Sequence, residues 1–293
     1  MKQTQICYVC KSAAQFYINK DGYDLYACPV CEHAFVYPVP SPEALSKVYS
    51  ENYFSNGGDG FGYAEYDKDK EPMRDIFVSY LSKLEKLISK KAIFDVGSAT
   101  GYFLDIAKGM GWETFGNEIS EFGYRECVRR GHSMSKDMDI AENTYPKYMS
   151  VVTLWDVLEH VPDPRVLIRN VSGMLSDDGI LAINTIDRSS LWARIWGPKW
   201  NLIVPPEHLH YFSSKSIISL LGEGGFEIIE IRKQGKKFSL PYIFKTLAVW
   251  QGLGIWKFFM KLSSTKLLRS IAVPINLRDN VFILARKKHV NFN

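Results

Sequence analysis

No run of about 20 uncharged apolar residues occurs in this 293-residue chain, so a membrane-spanning helix is not expected. The opening MKQTQICYVC lacks the apolar stretch of a secretory signal, and the cytoplasm is the expected compartment. Neither sign of charge dominates. The 36 basic and 32 acidic side chains leave a net charge of +4, too little to argue for bulk nucleic-acid binding. The composition is that of neither a disordered chain, a collagen nor a coiled-coil rod. Cysteine is scarce outside the first 31 residues, where four of the five lie.

Those four form two pairs, Cys7-x-x-Cys10 and Cys28-x-x-Cys31, with 17 residues between them. Two residues between thiolates let a tight knuckle aim both sulfurs at one ion, and two knuckles complete the tetrahedron of a structural zinc site. Between the pairs, Phe16-Tyr17-Ile18, the turn Asp21-Gly22 and Tyr23 to Ala27 read as a hairpin. Residues 1–37 are therefore expected to form a zinc ribbon, too small for a self-sufficient core and leaning on its metal. Two disulfides fit poorly with a chain lacking a secretion signal, and a redox-active pair would open a helix in a βαβ context. His33 is expected at the surface and Cys127 in ordinary packing. With Lys2, Lys11 and Lys20 as its bases, the ribbon offers few phosphate contacts, which argues against an RNA-binding or RNA-modifying protein.

Residues 38–69 read as linker and lid. Tyr37-Pro38-Val39-Pro40-Ser41-Pro42 is stiff and extended, a short helix is expected over 43–50, and the glycine-rich Tyr53 to Gly60 has the composition of a lid. From Lys70 to Lys90, apolar residues from Met73 to Ile88 recur at helical spacing.

Beyond residue 92, short apolar runs alternate with helical patterns, which predicts an α/β fold with a doubly wound, mostly parallel sheet. The strand Ala92 to Val96 runs into Gly97-Ser98-Ala99-Thr100-Gly101 and a helix. Such a turn lets the backbone approach a ligand, and the helix start offers free N–H groups. Asp95 can accept hydrogen bonds from an ammonium or from the turn itself. Glu118, 17 residues after Gly101, ends the second strand, where a carboxylate can hold both hydroxyls of a ribose. A final strand at 280–286, reached without an ordinary helical crossover, is expected to run antiparallel. An NAD site would need a second half-sheet that the pattern does not show.

Phe94 to Gly101, Glu118 and Trp155-Asp156-Val157-Leu158-Glu159-His160-Val161-Pro162-Asp163-Pro164 together resemble class I S-adenosylmethionine-dependent methyltransferases, from about residue 70 to 235. The resemblance implies a Rossmann-like, seven-stranded methyltransferase domain over 70–293. It also implies that Gly97, Ser98 and Gly101 line the methionine part of the cofactor and that Glu118 binds its ribose. Asp137 and Met138 would then face the adenine, with Trp155 and Asp156 closing over the reacting end. Ala99 departs from the family turn, which usually carries glycine there.

Pro205-Pro206-Glu207-His208-Leu209-His210-Tyr211-Phe212-Ser213 offers a base beside the acceptor, since histidine titrates near neutrality. His208 assisted by Glu207 is the expected catalytic pair, against an equal reading in which Glu207 and the histidines pin the loop through hydrogen bonds; His160 is a second candidate base or, more simply, a feature of a helix start. With the cysteine pairs, this stretch is similar to sugar C-methyltransferases, which implies a sugar-nucleotide or glycan-related small-molecule acceptor. That group continues into a further C-terminal domain; here residues 238–278 carry six basic residues and no acids, with Trp250, Trp256, Phe258 and Phe259 adding aromatic bulk. A helical pair covering the acceptor pocket is one reading. The other is a basic, aromatic surface lying on anionic membrane, with an O-methyltransferase of a lipid-linked or quinone-like amphiphile as the corresponding function.

Overall fold

The computed structural model describes residues 2–48, 66–136, 149–265, 268 and 271–288. The expected lid at 53–60, and Asp137 and Met138, lie outside the described residues.

Near the N-terminus, β1 (Gln5–Ile6), β2 (Ala13–Lys20), β3 (Tyr23–Ala27) and β4 (Ala34–Val36) form an antiparallel meander. Asp21 and Gly22 both take positive φ, 51° and 87°, the twist that suits a tight hairpin. The central sheet is built from β5 (Ala92–Val96), β6 (Glu113–Asn117), β7 (Ser133–Ser135), β8 (Met149–Trp155) and β9 (Leu175–Ile186). After β10 (His210–Tyr211), β11 (Phe226–Lys233) and the small ribbon of β12 (Lys236–Ser239) and β13 (Ala272–Ile275), the chain returns through β14 (Asn280–Lys287).

The central sheet has seven strands in the order β11-β14-β9-β8-β5-β6-β7. Pairings from β9 to β7 are parallel, while β14 runs antiparallel to both neighbours, as its connection predicts. The reversal leaves the parallel core as a Rossmann-like sheet with its strand ends at one edge. Every residue of β5 is buried, as a strand covered on both faces requires. One face is covered by helices Arg74–Leu84 and Tyr102–Gly109, through Phe77, Leu81, Leu104 and Ile106. The other is covered by helices Pro164–Met174 and Ser214–Glu223, through Ile168, Val171, Ile217 and Leu220. Asp163 caps the first of these on the N–H groups of Arg165 and Val166, with Pro164 pre-set at the first turn. Ser213 caps the second in a reciprocal pair with Ser216.

The linker does not separate two independent bodies. Strand β4 pairs with β10, His210 opposite Phe35 and Tyr211 opposite Ala34, so the meander becomes a five-stranded sheet whose last strand comes from the loop after β9. Ser213 Oγ donates to the Cys31 carbonyl at 2.9 Å, and Arg165 Nη1 to the Val9 carbonyl at 2.6 Å. Cys7, Val9 and Phe35 share one buried cluster with Leu167 and Ile217.

His33 corrects the sequence reading. It is fully buried, its ring stacked against both His210 and Phe212, because β10 closes over the knuckle beside it. Residues 238–278 do contain a helical pair, Leu240–Gln251 and Ile255–Ser263, and β12 and β13 tie its two ends together.

Candidate active site

The turn after β5 is folded around the end of β6. Gly97 has φ +67°, and a Cβ there would fall 2.9 Å from Val157 Cγ2. Its N–H donates to Asn117 Oδ1 at 3.2 Å, and that of Ser98 to the Asn117 carbonyl at 3.0 Å. Ala99, where the family turn carries glycine, also takes a left-handed backbone, φ 51°. Its N–H is held by Glu118 Oε2 at 2.8 Å, while Glu118 Oε1 accepts from the Ser120 N–H at 2.8 Å. Burial raises the Glu118 carboxyl to about 7, against the pull of those N–H groups. Each carboxylate oxygen keeps a second lone pair, which suits the two hydroxyls of a ribose.

Not all of the turn faces the ligand space. Ser98 Oγ donates to the Asp95 carbonyl at 2.8 Å, and the Asp95 side chain accepts from the Thr153 hydroxyl. Asp95 is buried, which raises its carboxyl to about 8. Gly101, φ +84°, starts helix Tyr102–Gly109, and a Cβ there would meet Cys127 Sγ at 3.1 Å. These three residues brace the turn from behind. Cys127 is buried and donates to the Ala99 carbonyl, a packing role as expected.

Gly97, Ala99, Asn117 and Glu118 form one end of a cavity of about 850 Å³. Trp155 and Asp156, at the end of β8, line its middle. Trp155 stacks on Tyr80 with ring centroids 5.1 Å apart. Burial pushes the Asp156 carboxyl up, but Lys236, 2.9 Å from both oxygens, and Lys70 at 3.6 Å overcome it and hold the group well below the usual carboxylate range. Glu159, His160, Glu207 and His208 line the same cavity. His208 Nδ1 bonds the Leu202 carbonyl at 2.9 Å, which leaves Nε2 as the acceptor, and burial lowers its pKa to about 3. The partner that orients His208 is thus a backbone carbonyl. Glu207 instead accepts, through its own carbonyl, a 2.7 Å bond from His160 Nδ1.

His160, the second candidate base of the sequence, lies beside His208. Its ring meets His208 edge-on with centroids 4.8 Å apart, and ligand atoms of Glu159, His160 and His208 all lie within 4.8 Å of one another, close enough to hold a metal ion. Two histidines 48 positions apart gave no local spacing signal. Val39, Pro40 and Leu45, from the stretch expected as linker and lid, line the cavity, as do Leu247 and Trp250 of the helical pair.

The four N-terminal cysteines are free thiols that converge, with their sulfurs within 4.8 Å of one another. Cys7 and Cys31 Sγ are 3.6 Å apart, Cys10 and Cys28 Sγ 3.4 Å. Zn–S bonds of about 2.3 Å put tetrahedral sulfurs about 3.8 Å apart, so the set fits zinc; a disulfide needs about 2.05 Å.

A family model described as a methyltransferase domain matches residues 66–231, more than half of the chain. Curated relatives include the ubiquinone biosynthesis O-methyltransferase of Glaesserella parasuis serovar 5, 26% identical over 156 residues, 48% of this chain and 64% of that one. The corresponding enzyme of Marinobacter nauticus is 26% identical over 178 residues, 56% of this chain and 73% of that one. The chain thus spans less than two thirds of the Glaesserella relative, and the likeness is one of cores. Among solved structures, a chain from a Haloferax volcanii complex between the Trm112 methyltransferase activator and a methyltransferase has the same fold, with a TM-score of 0.51 at 12% identity over 76% of this chain and 94% of that one. The matched residues 66–231 carry the turn, the acid after β6 and the end of β8 just described, and the chain belongs to the methyltransferase-domain family.

Proposed function

We propose that this protein is an S-adenosylmethionine-dependent methyltransferase whose acceptor is a small amphiphile, methylated on a hydroxyl. The observation that carries this reading is the cavity, which runs from Gly97 and Glu118 past Asp156 and His208 to apolar walls formed by Leu45, Trp192, Leu247 and Trp250. Bound S-adenosylmethionine supplies an electrophilic methyl group on a sulfonium sulfur. Glu118 holds the ribose hydroxyls, and Gly97 leaves the space its missing Cβ would fill. Asp156, kept ionised by Lys236 and Lys70, faces the reacting end. His208 Nε2, kept unprotonated by burial, accepts the hydrogen bond of the acceptor's hydroxyl and takes its proton as the O–methyl bond forms, when the protonated ether is far more acidic than the imidazolium. The cysteine cluster holds zinc as a structural cross-link that keeps the acceptor loop in place.

The ubiquinone-related relatives support a head-and-tail acceptor of this kind. A saccharide remains the second reading, favoured by the polar end of the cavity with Asn201, Glu207 and Gln234. Transfer of labelled methyl from S-adenosylmethionine into an extract separated into lipid, small soluble and macromolecular fractions tests both, with Glu118→Ala as control. Label in the lipid fraction is expected. Label confined to the sugar-nucleotide pool would replace the amphiphile with the saccharide, and label in neither would end the reading.

A further inference from the structure

The helical pair at 240–263 has an apolar face that is exposed and that none of the described residues covers. On helix Ile255–Ser263, Trp256 and Phe259 pack toward Phe244 of the preceding helix, with ring centroids 6.0 and 5.5 Å away. At about 100° per residue, Ile255, Phe258 and Leu262 fall in one sector beside that packed face. They are 54%, 62% and 52% exposed, and Leu253 in the connecting loop is 53% exposed. Lys257 and Lys261 fall together on the flank of this sector, and both are exposed. Helix Leu191–Trp196 adjoins the pair through an edge-on contact of Trp196 with Trp250, centroids 5.4 Å apart, and it exposes Leu191 and Ile195.

We propose that this face docks on an anionic lipid bilayer, with the apolar sector in the interface and the lysines at headgroup level. An apolar stripe flanked by lysine on a short helix is the arrangement that lies in a membrane plane without crossing it. No helix among the described residues is long and apolar enough to span. The charge selects the occupant: Lys257 and Lys261 flank the apolar sector and residues 238–278 contain no acid, so a second copy would bring like charge to like, whereas anionic headgroups complement it. The cavity reaches the same elements, since Tyr242, Leu247 and Trp250 of helix Leu240–Gln251 and Trp192 line it. A tail held in the bilayer has its head end directed to Asp156 and His208 by the same pair of helices. The docking concerns where the protein sits and stands whichever atom is methylated.

Co-sedimentation of the full chain with vesicles of phosphatidylcholine alone, or with one third phosphatidylglycerol, tests the proposal. Binding is expected to the mixed vesicles and to weaken as salt is raised. Phe258→Glu with Leu262→Glu should reduce it about tenfold or more, Lys257→Glu with Lys261→Glu should abolish the preference for phosphatidylglycerol, and Ile218→Glu on a distant helix should change nothing. Thermal melting and S-adenosylmethionine titration of each variant establish that the fold is intact. Absence of vesicle binding, or equal binding by the Phe258→Glu/Leu262→Glu protein, overturns the proposal. So does a monomer–dimer equilibrium that those two substitutions abolish, because the face would then be a subunit interface. Methyl transfer to a soluble, tail-less acceptor reads the proposed activity separately, so the two failures are distinguishable.

Discussion

His33 and His210, 177 positions apart, stack with ring centroids 5.2 Å apart, and His33 Nε2 lies 3.2 Å from His210 Nδ1. The other nitrogen of His33 is 3.6 Å from Cys7 Sγ, and the His210 N–H donates to the Glu159 carbonyl at 3.0 Å. A continuous path of contacts therefore joins the cysteine cluster to the loop that carries His208.

That path gives metal removal a specific consequence. A unit this small depends on its cross-link, and its fifth strand is β10. Chelation, or Cys28→Ser, is expected to remove one bound zinc per chain and to speed amide exchange at 209–212 by about tenfold or more, while β5 and β8 stay protected. Metal analysis and exchange mass spectrometry check this; unchanged exchange across 209–212 would sever the cluster from the acceptor loop.

Glu118 accepts two backbone N–H groups, and a glutamine can accept at only one of those positions. Glu118→Gln should cost about 1–3 kcal/mol of stability and weaken S-adenosylmethionine at least about tenfold. Burial raises the carboxyl to about 7, and the ionised form is the better acceptor for ribose hydroxyls. Cofactor affinity by calorimetry should therefore rise from pH 6 to pH 8 in the native protein and stay flat in Glu118→Gln.

Ala99 sits at φ 51°, where an L-residue is disfavoured by about 1–2 kcal/mol. Ala99→Gly removes that strain and loosens the unfolded chain, so the two effects partly cancel. A net change within about 1 kcal/mol of zero, with cofactor binding retained, is expected from denaturant melts. Gly97→Ala should behave oppositely, losing both stability and cofactor affinity, because its Cβ meets Val157.

His208 is buried and neutral, with its pKa lowered to about 3 from an unfolded value near 6.5. Between those values the unfolded chain binds the extra proton, so the stabilisation present above pH 6.5 is lost as pH falls toward 3. Relative to His208→Gln, the native protein should lose about 2 kcal/mol between pH 7.5 and pH 5. A constant difference in urea midpoints over that range would mean the ring is not held neutral. At pH 7.5, methyl transfer should drop about a hundredfold or more in the variant while cofactor binding persists.

Local chemistry made much of this protein legible in its sequence. The thiolate spacing, the apolar run Ala92 to Val96, the turn after it and the acid at 118 each act within one element or across one strand–helix–strand unit. Their meaning survives without knowledge of distant neighbours, and the doubly wound sheet followed from the alternation alone. What depended on closure of the chain was not legible. His33 read as a surface residue because the strand that buries it arrives 177 positions later. His160 read as either a helix start or a second base because its neighbour His208 lies on another loop, and a glycine turn does not by itself show that Gly97 and Ala99 are the residues that line the cavity. The helical pair was visible as a basic, aromatic stretch, but only its packing against Phe244 separated the aromatics that hold the pair together from those left on the outside. Sequence specifies which groups are present and their local geometry; the tertiary structure decides which of them meet, because burial and long-range pairing are set by the whole chain at once.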